Sequence, residues 1–143
     1  MPTLIANINF LVEILLVGVG IVWYKKLDAP TRVLAWLFFF WLFMSVIEQV
    51  LIWFQVQNLW LYHFSTLIDF AFVMRVFYLW LRHTKYSLVA PILFLLVFIF
   101  WGVAKVTFEP IFTGADDITA TLTMFFVLAV GLILFVEMFR EEM

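Results

Sequence analysis

Five stretches of this chain, residues 3–24, 31–54, 58–81, 87–105 and 118–139, are apolar over nearly their whole length. A helix rises ~1.5 Å per residue and bilayer hydrocarbon is ~30 Å thick, so about 20 such residues make one span. Every stretch meets or approaches that length. With 67% of its residues hydrophobic and 13% charged, against ~25% charged in ordinary soluble domains, 143 residues cannot bury this much apolar surface in one soluble core. Lipid has to cover most of it.

The expected architecture is therefore all-α: a polytopic membrane protein of five transmembrane helices forming a single bundle over residues 1–143. A β-barrel would require ~10-residue strands of alternating polarity. The run "LVAPILFLLVFIFWGVA" (88–104) shows no alternation. The breaks between segments carry turn chemistry. Pro30 suits the first turn of the second helix, Ser87 the N-cap of the fourth, and Asp116 or Asp117 the N-cap of the fifth. The first segment lacks a basic leader, is interrupted by Glu13 and runs into "WYKK", so it reads as a retained span rather than a cleaved signal.

Basic residues orient such a chain. Lys25, Lys26 and Arg32 fall between spans one and two, Arg82 and Lys85 between three and four, and Arg140 follows five. The other side has Lys105 among Glu109, Asp116 and Asp117. The distribution predicts the N-terminus outside and the C-terminus in the cytoplasm, with Trp23, Trp60, Tyr62, Trp80 and Trp101 near the interfaces.

Ionisable residues inside spans are the candidates for function, because each costs ~2.5–3.5 kcal/mol at the bilayer centre even on the lenient insertion scale. Counting along the helices puts Glu13 and Asp69 near mid-depth, Glu48 and His63 toward the outer side, and Arg75 with Glu137 toward the cytoplasm. Matching depths predict three pairs: Glu13 with Asp69, Glu48 with His63, and Arg75 with Glu137. Two carboxylates at one depth share a proton, hold a cation, or form an inert clamp. At 100° per residue, His63, Asp69 and Arg75 point about 120° apart, which makes the third helix the centre of the bundle. The fourth span carries no polar group before Lys105 and reads as lipid-facing, as does the aromatic run "WLFFFWLF" (36–43).

No nucleotide-binding, nucleophile-elbow or zinc-protease motif is present, and with no cysteine there is no thiolate ligand or thiol nucleophile. A net charge of −2 without a basic stripe points away from nucleic acid. The expectation is no enzyme, no cofactor and no metal.

"NLWLYHFSTLIDF" (58–70) resembles a span of a group of uncharacterised small multi-pass bacterial membrane proteins, in which N-x-W-x-Y-H is followed by L-I-E/D-F. The resemblance implies that Asn58, Tyr62, His63 and Asp69 belong to one functional or structural unit, and the expected location is a bacterial inner membrane. Two functions follow as expectations. The first is a non-catalytic sensing or ligand-binding module, or an accessory subunit of a membrane complex. The bilayer would be its main partner, with other membrane subunits or a cytoplasmic output protein beside it. The alternative is a proton- or cation-coupled carrier or channel using Glu13 and Asp69. The candidate residues are Glu13, Asp69, Glu48, His63, Tyr62, Arg75 and Glu137.

Overall fold

A computed structural model describes residues 2–112 and 116–141, with side chains for 10–112 and 116–140. It contains five long helices: α1 (Pro2–Trp23), α2 (Ala29–Trp53), α3 (Leu59–Leu81), α4 (Val89–Thr107) and α5 (Asp117–Glu141). No strand occurs among the described residues. Each helix overlays one apolar stretch of the sequence to within two residues or so at either end. Four of them, α2 to α5, are long and apolar enough to cross a membrane. The surface of these helices suits lipid: Val106, Trp53, Leu128 and Phe43, for example, are all exposed. The fold is all-helical and compatible with a helical membrane protein.

The helices divide into two compact units, Met1–Asn58 and Leu59–Met143. The first is a hairpin of α1 and α2. Asp28 caps α2, its carboxylate accepting the Thr31 N–H at 3.2 Å, and Pro30 follows in the first turn, where its missing N–H costs nothing. The hydrogen bond to Thr31 leads in holding the Asp28 carboxyl below its ordinary value. In the hairpin, Val17 and Gly20 on α1 and Ala35 and Leu37 on α2 are buried, and Gly20 faces Ala35. A β-carbon placed on Gly20 would come within 3.4 Å of the Ala35 β-carbon, so glycine sets how closely the helices approach. Lipid gives helices no hydrophobic reason to associate, and small residues that permit backbone contact replace that drive. Of the aromatic run, Trp36, Phe39, Trp41 and Phe43 are exposed while Leu37 turns inward.

The second unit packs α3, α4 and α5 against one another. Most of their buried positions fall at heptad-like spacings: His63, Phe70, Met74, Phe77 and Leu81 on α3, Ala90, Val97 and Ala104 on α4, Thr119, Thr123 and Val130 on α5; Leu61 and Val76 are buried beside that stripe. Such spacing keeps one stripe of each helix turned to its neighbours. Beside an exposed apolar face that includes Ile92, Leu95, Ile99 and Val103, the fourth helix therefore also has a packed one. Its signal is three small side chains seven residues apart, which polarity alone does not display.

Two caps differ from expectation. Ser87 lies in the turn before α4, which starts at Val89 without a side-chain cap. Thr84 closes the preceding helix instead, its hydroxyl donating to the Leu81 carbonyl and accepting from the Tyr86 N–H. The N-terminus of α5 is served by Glu109, a residue of the preceding loop.

Candidate functional site

At the end of the second unit where α4 leads into α5, the apolar seam gives way to a buried polar cluster. Its members are His63 on α3, Lys105 on α4, Glu109 and Asp116 in the connecting loop, and Thr119 in the first turn of α5. His63 and Thr119 are fully buried, Glu109 and Lys105 nearly so. His63 arrives there because it heads the stripe of Phe70, Met74, Phe77 and Leu81. Lys105 follows Ala104, the last member of the α4 stripe.

The Lys105 ammonium donates to Glu109 Oε2 at 2.8 Å, Asp116 Oδ1 at 2.5 Å and Thr119 Oγ1 at 3.2 Å. An ammonium has three donors. All three are used. Glu109 is as fully committed. Its Oε1 accepts the backbone N–H groups of Ile118 and Thr119, and its Oε2 also accepts the Thr119 hydroxyl. These amides belong to the first turn of α5, whose N–H groups have no intrahelical acceptor and carry the positive end of the helix dipole. Burial opposes ionisation of Glu109, but hydrogen bonds from Lys105, Thr119 and the two amides outweigh it and lower its pKa to about 2.

Asp116 is different. Oδ1 takes Lys105 and stands 3.3 Å from His63 Nδ1. Oδ2 is buried with no hydrogen-bond partner among the described residues. An unpaired buried polar atom costs ~1–3 kcal/mol, so this oxygen is the one place in the cluster where a further donor would be welcome. The Trp101 indole donates to the His63 carbonyl at 3.0 Å and its ring packs on Phe64, closing the cluster on the α4 side.

In charge, one ammonium faces two carboxylates, which leaves one negative charge over. A proton on the His63 ring would cancel it. Among the described residues no three His, Asp or Glu side chains gather closely enough to hold a metal ion.

The residues expected from sequence are distributed more widely. In the hairpin, Glu13 Oε2 accepts from the Ser45 hydroxyl at 2.8 Å, and Glu48 Oε1 accepts from the Asn58 amide at 3.3 Å. The expected pairings of Glu13 with Asp69 and of Glu48 with His63 each join residues of different units. Asp69 lines a groove of about 400 Å³ between α3 and α5, beside Thr66 and Thr123. Tyr62 is exposed on α3, and its carbonyl accepts the Thr66 hydroxyl at 2.9 Å. Arg75 and Glu137 form no ion pair. The Arg75 guanidinium lies over the Tyr78 ring, 5.3 Å from its centroid, which corrects that pairing. Depth alone brings the two together, and depth says nothing about which way a side chain turns.

Lys105, Glu109 and Asp116 read from sequence as loop charges, yet they form the centre of the cluster. A Lys and Glu four residues apart at a helix end is the available signal. Nothing in spacing could place Asp116, eleven residues from Lys105, against His63. In comparisons with known proteins, no family model matches the chain, and none of the curated proteins or solved structures does.

Proposed function

We propose that this chain is a non-catalytic integral membrane protein of a bacterial inner membrane, working as an embedded sensing module whose receiving point is the Asp116–His63 pair. An accessory subunit of a larger complex is the same reading with a protein as the input. The observation that carries it is Asp116 Oδ2, buried beside the His63 ring and without a hydrogen-bond partner among the described residues. Lys105 and Glu109 around it are saturated, so neither is left as a nucleophile or base for catalysis.

Five crossings with the N-terminus outside and the C-terminus in the cytoplasm complete the proposal. At 22 residues α1 is about 33 Å long, enough to cross. The orientation is supported by Lys105, which two carboxylates neutralise, while Arg82, Lys85 and Arg140 stand toward the opposite side.

The test uses the full chain in lipid nanodiscs and follows the Trp101 indole N–H resonance as the pH is lowered. A sensing centre moves that resonance through the His63 carbonyl, and His63→Gln abolishes the movement. A resonance that stays put in the unaltered protein refutes the reading and leaves a static clamp.

A second reading, a proton- or cation-coupled carrier, is favoured by one observation: Asp69 opens onto the groove shared with Thr66 and Thr123. It predicts ion flux in liposomes that Asp69→Asn or Glu13→Gln abolishes. Equal flux with and without the protein rejects it.

A further inference from the structure

A second groove, of about 480 Å³, lies between α3 and α4 near the Arg82–Leu88 turn. Met74 and Phe94 form its floor, Leu88 and Pro91 one wall, Arg75 and Tyr78 the other. Its size is that of an ordinary small-molecule site. Apart from the guanidinium and the Tyr78 hydroxyl, the lining is apolar.

Arg75 is the reason the groove needs an occupant. It sits six residues before the end of α3, ~9 Å inside the span. Among the described residues no carboxylate pairs with it, and the group it meets is the Tyr78 ring. A cation–π contact is worth ~0.5–2 kcal/mol and leaves the N–H donors of the guanidinium without an acceptor among the described residues, a need that an anion would meet. The neighbouring cations lie beyond the end of α3: Arg82 donates to the His83 ring at 2.9 Å and Lys85 stands over the Tyr86 ring in the turn.

We propose that the α3–α4 groove binds an anionic phospholipid from the leaflet beside the Arg82–Leu88 turn. Its phosphate would lie on Arg75 and the Tyr78 hydroxyl, and one acyl chain would run over Met74 and Phe94. The charge chooses the headgroup and the apolar floor chooses a chain-bearing ligand over a soluble anion. Pro91 contributes by position. In the first turn of α4 its missing N–H is no loss, and its short ring leaves the wall low.

The experiment is native mass spectrometry of the full chain released from mixed vesicles of phosphatidylglycerol and phosphatidylcholine. The expected result is retention of one phosphatidylglycerol with about tenfold preference, a difference of about 1.4 kcal/mol. Arg75→Gln should remove the preference, Tyr78→Phe should reduce it, and Arg82→Gln should leave it in place. Circular dichroism confirms that each variant keeps its helices. Inorganic phosphate added in excess should not displace the lipid. Equal retention of both lipids, an unchanged preference in Arg75→Gln, or displacement by phosphate would each overturn the proposal.

Discussion

Glu109 divides its two oxygens between two helices. Oε2 receives the Lys105 ammonium at 2.8 Å from the last turn of α4, and Oε1 receives the Ile118 and Thr119 amides from the first turn of α5. One carboxylate thus neutralises a buried cation and caps a helix that begins eight residues later. The connection between α4 and α5 is fastened at its root, and Asp116 and His63 attach α3 to the same point.

Removing the cation should therefore do more harm than removing a salt bridge from a surface. In Lys105→Met two buried carboxylates face each other with no ammonium between them. Breaking a buried ion pair from one side costs ~3–5 kcal/mol. Thermal unfolding in mild detergent should show a drop of that order. A loss below about 1 kcal/mol, the range of exposed pairs, would mean that water enters the cluster.

Acid should loosen the same fastening. Glu109 titrates at about 2 when folded against 4.5 for the ordinary group. A lowered value means the folded state favours the ionised form. Its contribution is whole above pH 4.5, begins to fall below it and is gone once the pH has passed about 2. The full span corresponds to roughly 3 kcal/mol. Unfolding measured from pH 6 downward should show this decline in the unaltered protein, and Glu109→Gln should flatten it. An identical slope in the variant would assign the acid sensitivity to other carboxylates.

Two threonines two residues apart on α5 separate buried chemistry from exposed chemistry. The Thr119 hydroxyl accepts from Lys105 and donates to Glu109, whereas the exposed Thr121 hydroxyl donates back to the Asp117 carbonyl. Valine keeps the shape and deletes the hydroxyl. Thr119→Val should cost ~1–3 kcal/mol, because charged partners lose a hydrogen bond where no water replaces it. Thr121→Val should stay within ~0.5 kcal/mol. Equal effects in the same unfolding assay would show that the Thr119 bonds contribute nothing net.

The helices are legible in the sequence because apolar length is a strong, local signal: a run such as residues 88–104 has no other way to satisfy its backbone in lipid. The start of α2 at Pro30 is legible for a similar reason. The cluster is not. Reading charges near Lys105 as solvated loop residues is sound where loops meet water, but here the loop folds back over the end of α4. His63 stands out as an intramembrane ionisable residue, and its place on the seven-four-three-four stripe with Phe70, Met74, Phe77 and Leu81 is the subtler clue to its partners. Depth matches Arg75 to Glu137, whereas Tyr78, one turn further along the same helix, is the nearer solution.

The hairpin of the first unit depends on a different quantity, the distance between two backbones. A methyl group at Gly20 would stand 3.4 Å from the Ala35 β-carbon, tight but not a clash. Gly20→Ala thus adds a crowded contact while gaining ~0.5–1 kcal/mol from the stiffer backbone, and the two should nearly cancel. Gly20→Leu has no such balance. Its branched side chain would push α1 away from Ala35 and with it stretch the 2.8 Å bond between Ser45 and Glu13 farther along the seam. Disulfide trapping between cysteines placed at Val17 and Leu37 reports the separation directly. Efficient trapping in Gly20→Ala and poor trapping in Gly20→Leu is the expected pattern. Equal trapping in both would show that the hairpin is held by the Glu13–Ser45 bond and the turn at Asp28 rather than by close approach at Gly20.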